Sequence, residues 1–264
     1  MNKFIESLKY VTLLFQINGN RIKYIKSVIA YKLTKHPKAI TFPEMVIRLY
    51  NVKLIARKNT QDSAILSTLY ERGLTKYLLN KKPSFFVDVG SHIGRFSILL
   101  AKNGSNVLAI EPSSSNYKQL YKNILFNNLN NIEILNMGCS NREGIGKLAM
   151  TKGYTGNNTF LERKGKNIEK VKLRKLDNLI NKKMDNKDII KIDVEGFEIR
   201  VLKGMEKILK TQSPIIITEI LCDKDKKEIN DFLNKFNYYN TKILDERNFV
   251  FEKVMEKTIF LKLK

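Results

Sequence analysis

FFVDVGSHIGRFSILLAK, residues 85–102, decides how the rest of the chain is read. Five residues suited to a buried strand run from Phe85 to Val89 and carry one carboxylate, Asp88. Gly90 and Gly94 then enclose Ser91, His92 and Ile93, and RFSILLAK continues with the period of a helix over about residues 94–103. Strand, glycine turn and helix together form a common cradle for a nucleotide-like ligand.

Downstream, apolar runs with strand character alternate with stretches of helical period, the pattern of a parallel sheet covered on both faces. NVLAIEP (106–112) leads into SSNYKQLYKNILFNNL (114–129), followed by IEILNMG (132–138). The rhythm breaks over residues 141–175, where KLAMT, GYTGNN, FLERKGK and EKVKLRK read as short antiparallel strands around Gly and Asn turns. It resumes with LDNLINKK as a short helix, DIIKIDVEG (188–196) as a strand and FEIRVLKGMEKILKT (197–211) as one helix, with Ile199, Leu202, Met205 and Leu209 on a shared face. PIIITEIL (214–221), a helix over about 223–236 and two strands near 241–251 and 257–263 close the chain. The expected fold is α/β, an open doubly wound sheet of seven strands, mostly parallel with an antiparallel last strand. Residues 1–83 read as a helical N-terminal extension with one lead-in strand, NVKLIARK (51–58), and residues 84–264 as the main domain.

Ligands of such sheets gather at the carboxyl ends of the strands, where the turn after Asp88 lies. A dinucleotide site would present GxGxxG, so that a pyrophosphate could rest on the helix N-terminus. This turn is DxGxxxG, with Ser91 and His92 where that pattern wants glycine, and an aspartate there repels phosphate. It suits a cationic, phosphate-free ligand instead, such as S-adenosylmethionine with its ammonium and sulfonium. Glu111 ends the next strand 21 residues after Gly90, about where a carboxylate accepts the hydroxyls of a ribose. A capping turn at Glu111-Pro112, and a carboxylate at Asp88 bonded to neighbouring amides, are the plainer readings of the same residues.

Composition limits the classes. A chain of 264 residues that is 43% hydrophobic and 28% charged can bury one sizeable core. Cys139 and Cys222 stand far apart with no CxxC, which suggests neither a disulfide framework nor a zinc site, and an interior, cytoplasmic address. The formal charge of +22 comes mainly from 38 Lys against 10 Arg, scattered rather than clustered with aromatics, so a nucleic-acid partner is disfavoured. VTLLF (11–15) falls far short of the ~20 apolar residues of a membrane span. Phe4, Ile5, Leu8, Val11, Leu14 and Phe15, then Ile22, Ile25, Ile29 and Leu33, keep helical spacing with lysines between. They read as a helix packed on the main domain or, alternatively, as a basic amphipathic helix at a membrane surface.

Over residues 51–221 the chain resembles the FkbM-type S-adenosylmethionine-dependent methyltransferases. The resemblance rests on RKNTQD (57–62), VDVGSHIG (87–94), AIEPSSSNYKQL (109–120), VKLRKLDNL (171–179), IIKIDVEGFEIRVLKG (189–204) and PIIITEI (214–220), of which the KIDVEGFE block is the most specific. It implies a Rossmann-like methyltransferase fold and methylation of a hydroxyl oxygen, often on a sugar, glycolipid or polyketide. It places Asp88, Gly90 and Gly94, with Ser91 between them, around the methionine half of the cofactor and Glu111 at its ribose. Asn136 and Cys139 fall where the adenine usually packs. A small residue and Asn commonly stand where this chain has Ser91 and His92, which leaves His92 either replacing the Asn contact or facing solvent. Arg57, Thr60 and Asp62 would fold back over the cofactor side, with Thr60 or Asp62 as a helix cap the ordinary alternative.

Along IIKIDVEG, alternation puts Lys191, Asp193 and Glu195 on one side, opening into the cleft at the strand's carboxyl end. Methyl transfer to an alcohol needs alignment and removal of the hydroxyl proton. Asp193 is assigned as base or orienting acceptor, also touching the cofactor, with Lys191 as its ion-pair partner and Glu195 as a second acceptor. A buried salt-bridge network that merely organises the strand end is the alternative. Asp193, Glu195 and Glu219 could together gather a divalent metal such as Mg²⁺, although no metal ligand is assigned. Tyr154 and the 156–158 turn are candidates for acceptor contact. The expected acceptor is a glycan, glycolipid or secondary-metabolite hydroxyl. An RNA 2′-hydroxyl and a non-catalytic scaffold are the rivals. The Asn/Asp-Pro-Pro-aromatic motif of nucleic-acid amine methylation is missing, and so is a Pro-Cys thiol for cytosine carbon.

Overall fold

The computed structural model describes residues 13–18, 21–22, 25–26, 43–150, 156, 158–161 and 167–254. Before the main sheet, β1 (Ile17–Asn18), β2 (Met45–Leu49) and β3 (Val52–Ala56) pair antiparallel. One strand was expected in this region, and the structure has a hairpin. Met45, Ile47 and Leu49 alternate inward and, after the turn at Tyr50 (φ 52°), so do Val52, Leu54 and Ala56, a period of two that helical spacing upstream obscures. Of the N-terminal apolar positions, Leu13 and Ile17 are buried in the main core, while Phe15 and Ile22 are exposed. Phe4, Ile5, Leu8, Val11, Ile29 and Leu33 lie outside the described residues.

Two short helices, α1 (Asp62–Ile65) and α2 (Arg72–Lys81), lead into β4 (Phe85–Val89). There follow α3 (Arg95–Lys102), β5 (Asn106–Ile110), α4 (Ser114–Phe126), β6 (Ile132–Leu135), β7 (Gly138–Cys139), β8 (Gly144–Met150) and β9 (Asn167–Arg174). Then come β10 (Ile189–Ile192), α5 (Glu198–Lys203), α6 (Glu206–Thr211), β11 (Ile215–Glu219), α7 (Asp223–Asn234), β12 (Tyr238–Leu244) and β13 (Asn248–Lys253). The seven-stranded sheet has the order β12-β13-β11-β10-β4-β5-β6, and β13 alone runs against its neighbours. From β4 the chain steps one way to β5 and β6, and from β10 the other way to β11. The switch point therefore lies between β4 and β10, beside the Gly90 turn.

Alternation along the strands loads both faces. Phe86, Val107, Ala109, Ile189 and Ile217 pack on one side with the β2–β3 hairpin and α3. Val87, Val89, Leu108, Ile110, Ile190 and Ile216 pack on the other with α5, α6 and α7.

The boundaries differ from the sequence reading where backbone contacts override periodicity. The 197–211 helix is two helices, α5 and α6. They part at Gly204, where a Cβ would stand 2.1 Å from the Ser140 carbonyl oxygen. The 132–138 strand ends at Leu135, and Gly138–Cys139 leaves to join β9 in a separate sheet of order β7-β9-β8. LDNLINKK supplies only a 3-10 turn at Leu176–Asn178. The segment expected as one strand at 241–251 is the β12–β13 hairpin, turned through Asp245 and Glu246 at positive φ. The strand expected at 257–263 lies outside the described residues.

The hairpin is tied to the main sheet by a ladder of amides on α4. Asn127 and Asn123 accept from the N–H groups of Lys53 (3.0 Å) and Ile55 (2.8 Å), while Asn127 and Gln119 donate to the carbonyls of Lys53 (2.7 Å) and Ile55 (3.1 Å). Residues 119, 123 and 127 share one helical face, so their side chains stand in for a missing strand along the open edge of β3.

Candidate active site

Lys191 and Asp88 are partners across the β10–β4 ladder and point the same way. Lys191 Nζ lies 3.8 Å from Asp88 Oδ1 and 2.9 Å from Asp193 Oδ2. Burial disfavours the ammonium, yet the carboxylates of Asp193, Asp88 and Glu71 outweigh it and hold the Lys191 pKa above the ordinary lysine value. Burial raises the Asp88 pKa against the opposing pull of Lys191 and of Ser97, whose hydroxyl donates to Oδ2 at 2.6 Å.

Strand β10 ends at Ile192, so alternation does not set the direction of Asp193 and Glu195. A turn does. Glu195 (φ 55°) and Gly196 (φ 94°) take left-handed backbone, and the buried Glu198 carboxylate accepts from the N–H groups of Val194 (3.0 Å) and Gly196 (3.2 Å). The result still brings the acids together: carboxylate oxygens of Asp193, Glu195 and Glu219 lie within 4.8 Å of one another. Burial first, then the charges of Asp193, Glu195 and Glu71, push the Glu219 carboxyl up to about 9.

On the other side of the turn, Glu111 is 4% exposed and its carboxylate accepts from His92 N–H and Ser113 N–H, each at 2.9 Å, and from Asn116 Nδ2 at 3.2 Å. Burial pushes it up to about 7 against those bonds. Glu111 thus orders the turn that enters α4 without capping the helix itself, and the same carboxylate also borders the cavity. His92 faces the cavity rather than solvent, held at φ 51° with Nε2 3.8 Å from Asp62 Oδ1. Burial pushes its imidazole down to about 4. The Asp62 carboxylate accepts forked bonds of 2.7 and 2.9 Å from the Arg57 guanidinium. Thr60 Oγ1 donates to Arg57 O and accepts from Asp62 N–H.

One cavity of about 370 Å³ lies between the two sides of the turn, and Arg57, Thr60 and Asp62 do not line it. Asp88, Gly90, Ser91, Glu111, Cys139, Lys191, Asp193 and Glu195 line it, but Gly94 and Asn136 do not. Gly94 is required by packing, since a Cβ would meet Leu120 Cδ1 at 2.4 Å, and the Asn136 amide donates to the carbonyls of Glu111 (2.9 Å) and Pro112 (3.1 Å). Burial raises the Cys139 thiol to about 12, which leaves it neutral and a packing surface. Gly156 and Asn158 reach the cavity, and Tyr154 lies outside the described residues. Met137, Phe160, Tyr70, Glu71 and Arg247 also line it and were not foreseen. Glu71 is held at φ 41°, a left-handed backbone that the flanking Tyr70 and Arg72 do not announce.

The profile of the methyltransferase FkbM domain matches residues 88–240. This chain belongs to the FkbM methyltransferase family. Among curated proteins it is 27% identical over 157 residues to Methyltransferase sdnD of Sordaria araneosa, covering 47% of this chain and 61% of that one. It is 23% identical over 146 residues to Methyltransferase 1 of Beauveria bassiana (strain ARSEF 2860), with 47% and 59% covered. The match therefore spans about three fifths of those relatives' lengths. Among solved structures, the Pyrococcus abyssi tRNA (uracil-54, C5)-methyltransferase in complex with S-adenosyl-L-homocysteine gives a TM-score of 0.45 at 16% identity, covering 80% of this chain and 44% of that one. Magnesium protoporphyrin IX methyltransferase from Synechocystis PCC 6803, with bound SAM, gives 0.43 at 11%, covering 70% and 78%.

S-Adenosylmethionine is the cofactor of FkbM methyltransferases, and the residues at the turn fit it. Asp88 Oδ1 and Ser91 Oγ are buried with no hydrogen-bond partner among the described residues, so the cavity wall offers polar atoms to a bound cation and its amine. Gly90 lets the backbone close on the Asp193 carbonyl without a side chain intervening. No described helix is long and apolar enough to cross a membrane.

Proposed function

We propose that this FkbM-family chain is an O-methyltransferase whose acceptor is a neutral polyhydroxyl compound: a glycan, a glycolipid or a secondary metabolite. The observation that carries this reading is the convergence of Asp193, Glu195 and Glu219 at the carboxyl ends of β10 and β11, next to the cofactor turn. S-Adenosylmethionine, when bound, supplies a methyl group already activated by a sulfonium. The protein's share is to align a hydroxyl and take its proton. Asp193, 23% exposed at its side chain and oriented by Lys191, is the proton acceptor. Glu219, kept protonated at neutral pH, donates a hydrogen bond to the acceptor or to Asp193. Glu195 accepts from a second hydroxyl.

An RNA 2′-hydroxyl offers the same chemistry, and the +22 charge favours an anionic partner. The carboxylates of Asp193 and Glu195 at the cavity act against a phosphate there. Incubation with methyl-labelled S-adenosylmethionine and separate pools of neutral oligosaccharide, glycolipid and RNA tests the choice. Label in a sugar or lipid fraction, lost with Asp193→Asn, supports the proposal; label in RNA alone refutes it.

A further inference from the structure

Arg57 stands 15% exposed between two parts of the site that are distant in sequence. Its Nη2 donates to Asn116 Oδ1 at 2.9 Å and its Nη1 to Ser115 Oγ at 3.0 Å, both on α4. Asn116, itself 2% exposed, turns its Nδ2 to Glu111 Oε1 at 3.2 Å. The rest of the guanidinium forks onto Asp62, which is wholly buried, and Asp62 Oδ1 lies 3.8 Å from His92 Nε2. The backbone N–H of His92 donates to the other oxygen of the Glu111 carboxylate, Oε2.

We propose that Arg57 is a cofactor-positioning residue that acts at one remove, fixing the Glu111 carboxylate through Asn116. The inference rests on the S-adenosylmethionine reading of the cavity. The physical reason is that Glu111 is a buried carboxylate whose protein donors fix its plane, so its remaining lone pairs face the cavity only while those donors stay in place. Arg57 is suited to this task because its planar fork satisfies Asp62 with two parallel bonds and still has an N–H for Asn116. A lysine would keep the charge and lose one of the two links. The segment that carries Arg57 follows the β2–β3 hairpin directly, and Asn123 of α4 also donates to the carbonyl of Ile93 in the cofactor turn at 3.0 Å. The hairpin is on this account part of the cofactor site and not an appendage to it.

The test is calorimetric titration of the full chain and its variants with S-adenosylhomocysteine. Arg57→Gln and Asn116→Ala are each expected to weaken binding by about tenfold, the size of one charge-assisted bond in the chain of contacts. Glu111→Gln should weaken it at least as much, and Arg57→Gln combined with Glu111→Gln should lose no more than Glu111→Gln alone, because the two act on one contact. General loosening of the fold would instead give losses that multiply. Unchanged binding in Arg57→Gln, or multiplying losses, overturns the proposal. If Arg57→Gln fails to fold by thermal melting, Asn116→Ala leaves the Arg57–Asp62 pair intact and decides the matter by the same criterion. Absence of binding by the unaltered protein would instead refute the cofactor reading, and the role of Arg57 with it.

Discussion

A side chain at Gly90 would place its Cβ 1.8 Å from the carbonyl oxygen of Asp193. The glycine of the cofactor turn and the acid of the acceptor side are thus in backbone contact, further secured by Asp193 N–H donating to Val89 O at 3.0 Å. Gly90 also sits at φ 86°, where a Cβ is strained whatever the space. Gly90→Ala is therefore expected to destabilise the fold by at least about 3 kcal/mol, strain and overlap combined. Denaturant unfolding would read this directly, and a loss below about 1 kcal/mol would show that the two loops can part freely.

Asp193→Asn keeps the shape of the side chain and removes its ability to take a proton. Methyl transfer should fall by about 10²–10⁴-fold, the usual worth of a positioned base, while S-adenosylhomocysteine affinity changes by less than about threefold. Turnover at the unaltered rate would remove Asp193 from the chemistry.

The acids at the cavity give stability a definite pH slope. The Glu219 carboxyl is raised from 4.5 to about 9, so its protonated form favours the fold fully below about 4.5, and that contribution is lost as pH rises through about 9. Lys191 opposes the shift while Asp193, Glu195 and Glu71 promote it. Glu219→Gln should melt close to the unaltered protein at pH 5 and about 2–4 °C higher at pH 9.5, the shift that ~1 kcal/mol produces in a chain of this size. The same difference at both pH values would contradict this electrostatic account.

The amide ladder on α4 also has a measurable worth. Asn123→Leu removes the partner of the half-buried Ile55 N–H and of the buried Ile93 carbonyl, at a cost of about 1–3 kcal/mol in unfolding free energy. A cost near zero would mean that the hairpin is held by its apolar face alone.

Much of this was legible in the residues. Alternating apolar runs gave the order and direction of the central strands, because buried strands and amphipathic helices leave different periods. The turn from Asp88 to Gly94 and the acids of KIDVEGFE were visible as charges where apolar runs end. Less was legible where tertiary contact decides. Gly204 looks like one more helical residue until the Ser140 carbonyl packs against it, and Gly94 looks like a ligand glycine until Leu120 does the same. Glu198 reads as a first-turn helical acid, yet it shapes the Asp193 loop through two backbone N–H groups. Asn136 carries no mark to show that its amide belongs to the Glu111–Pro112 turn. Tyr70, Glu71 and Arg247 join the cavity from segments with no local motif at all.

The most direct measurement is calorimetric titration of the purified protein with S-adenosylmethionine and, in parallel, with NAD. The account predicts micromolar binding of the first and none of the second, since the wall at Asp88 and Asp193 suits a sulfonium and repels a pyrophosphate. Binding of NAD, or of neither ligand, would contradict it.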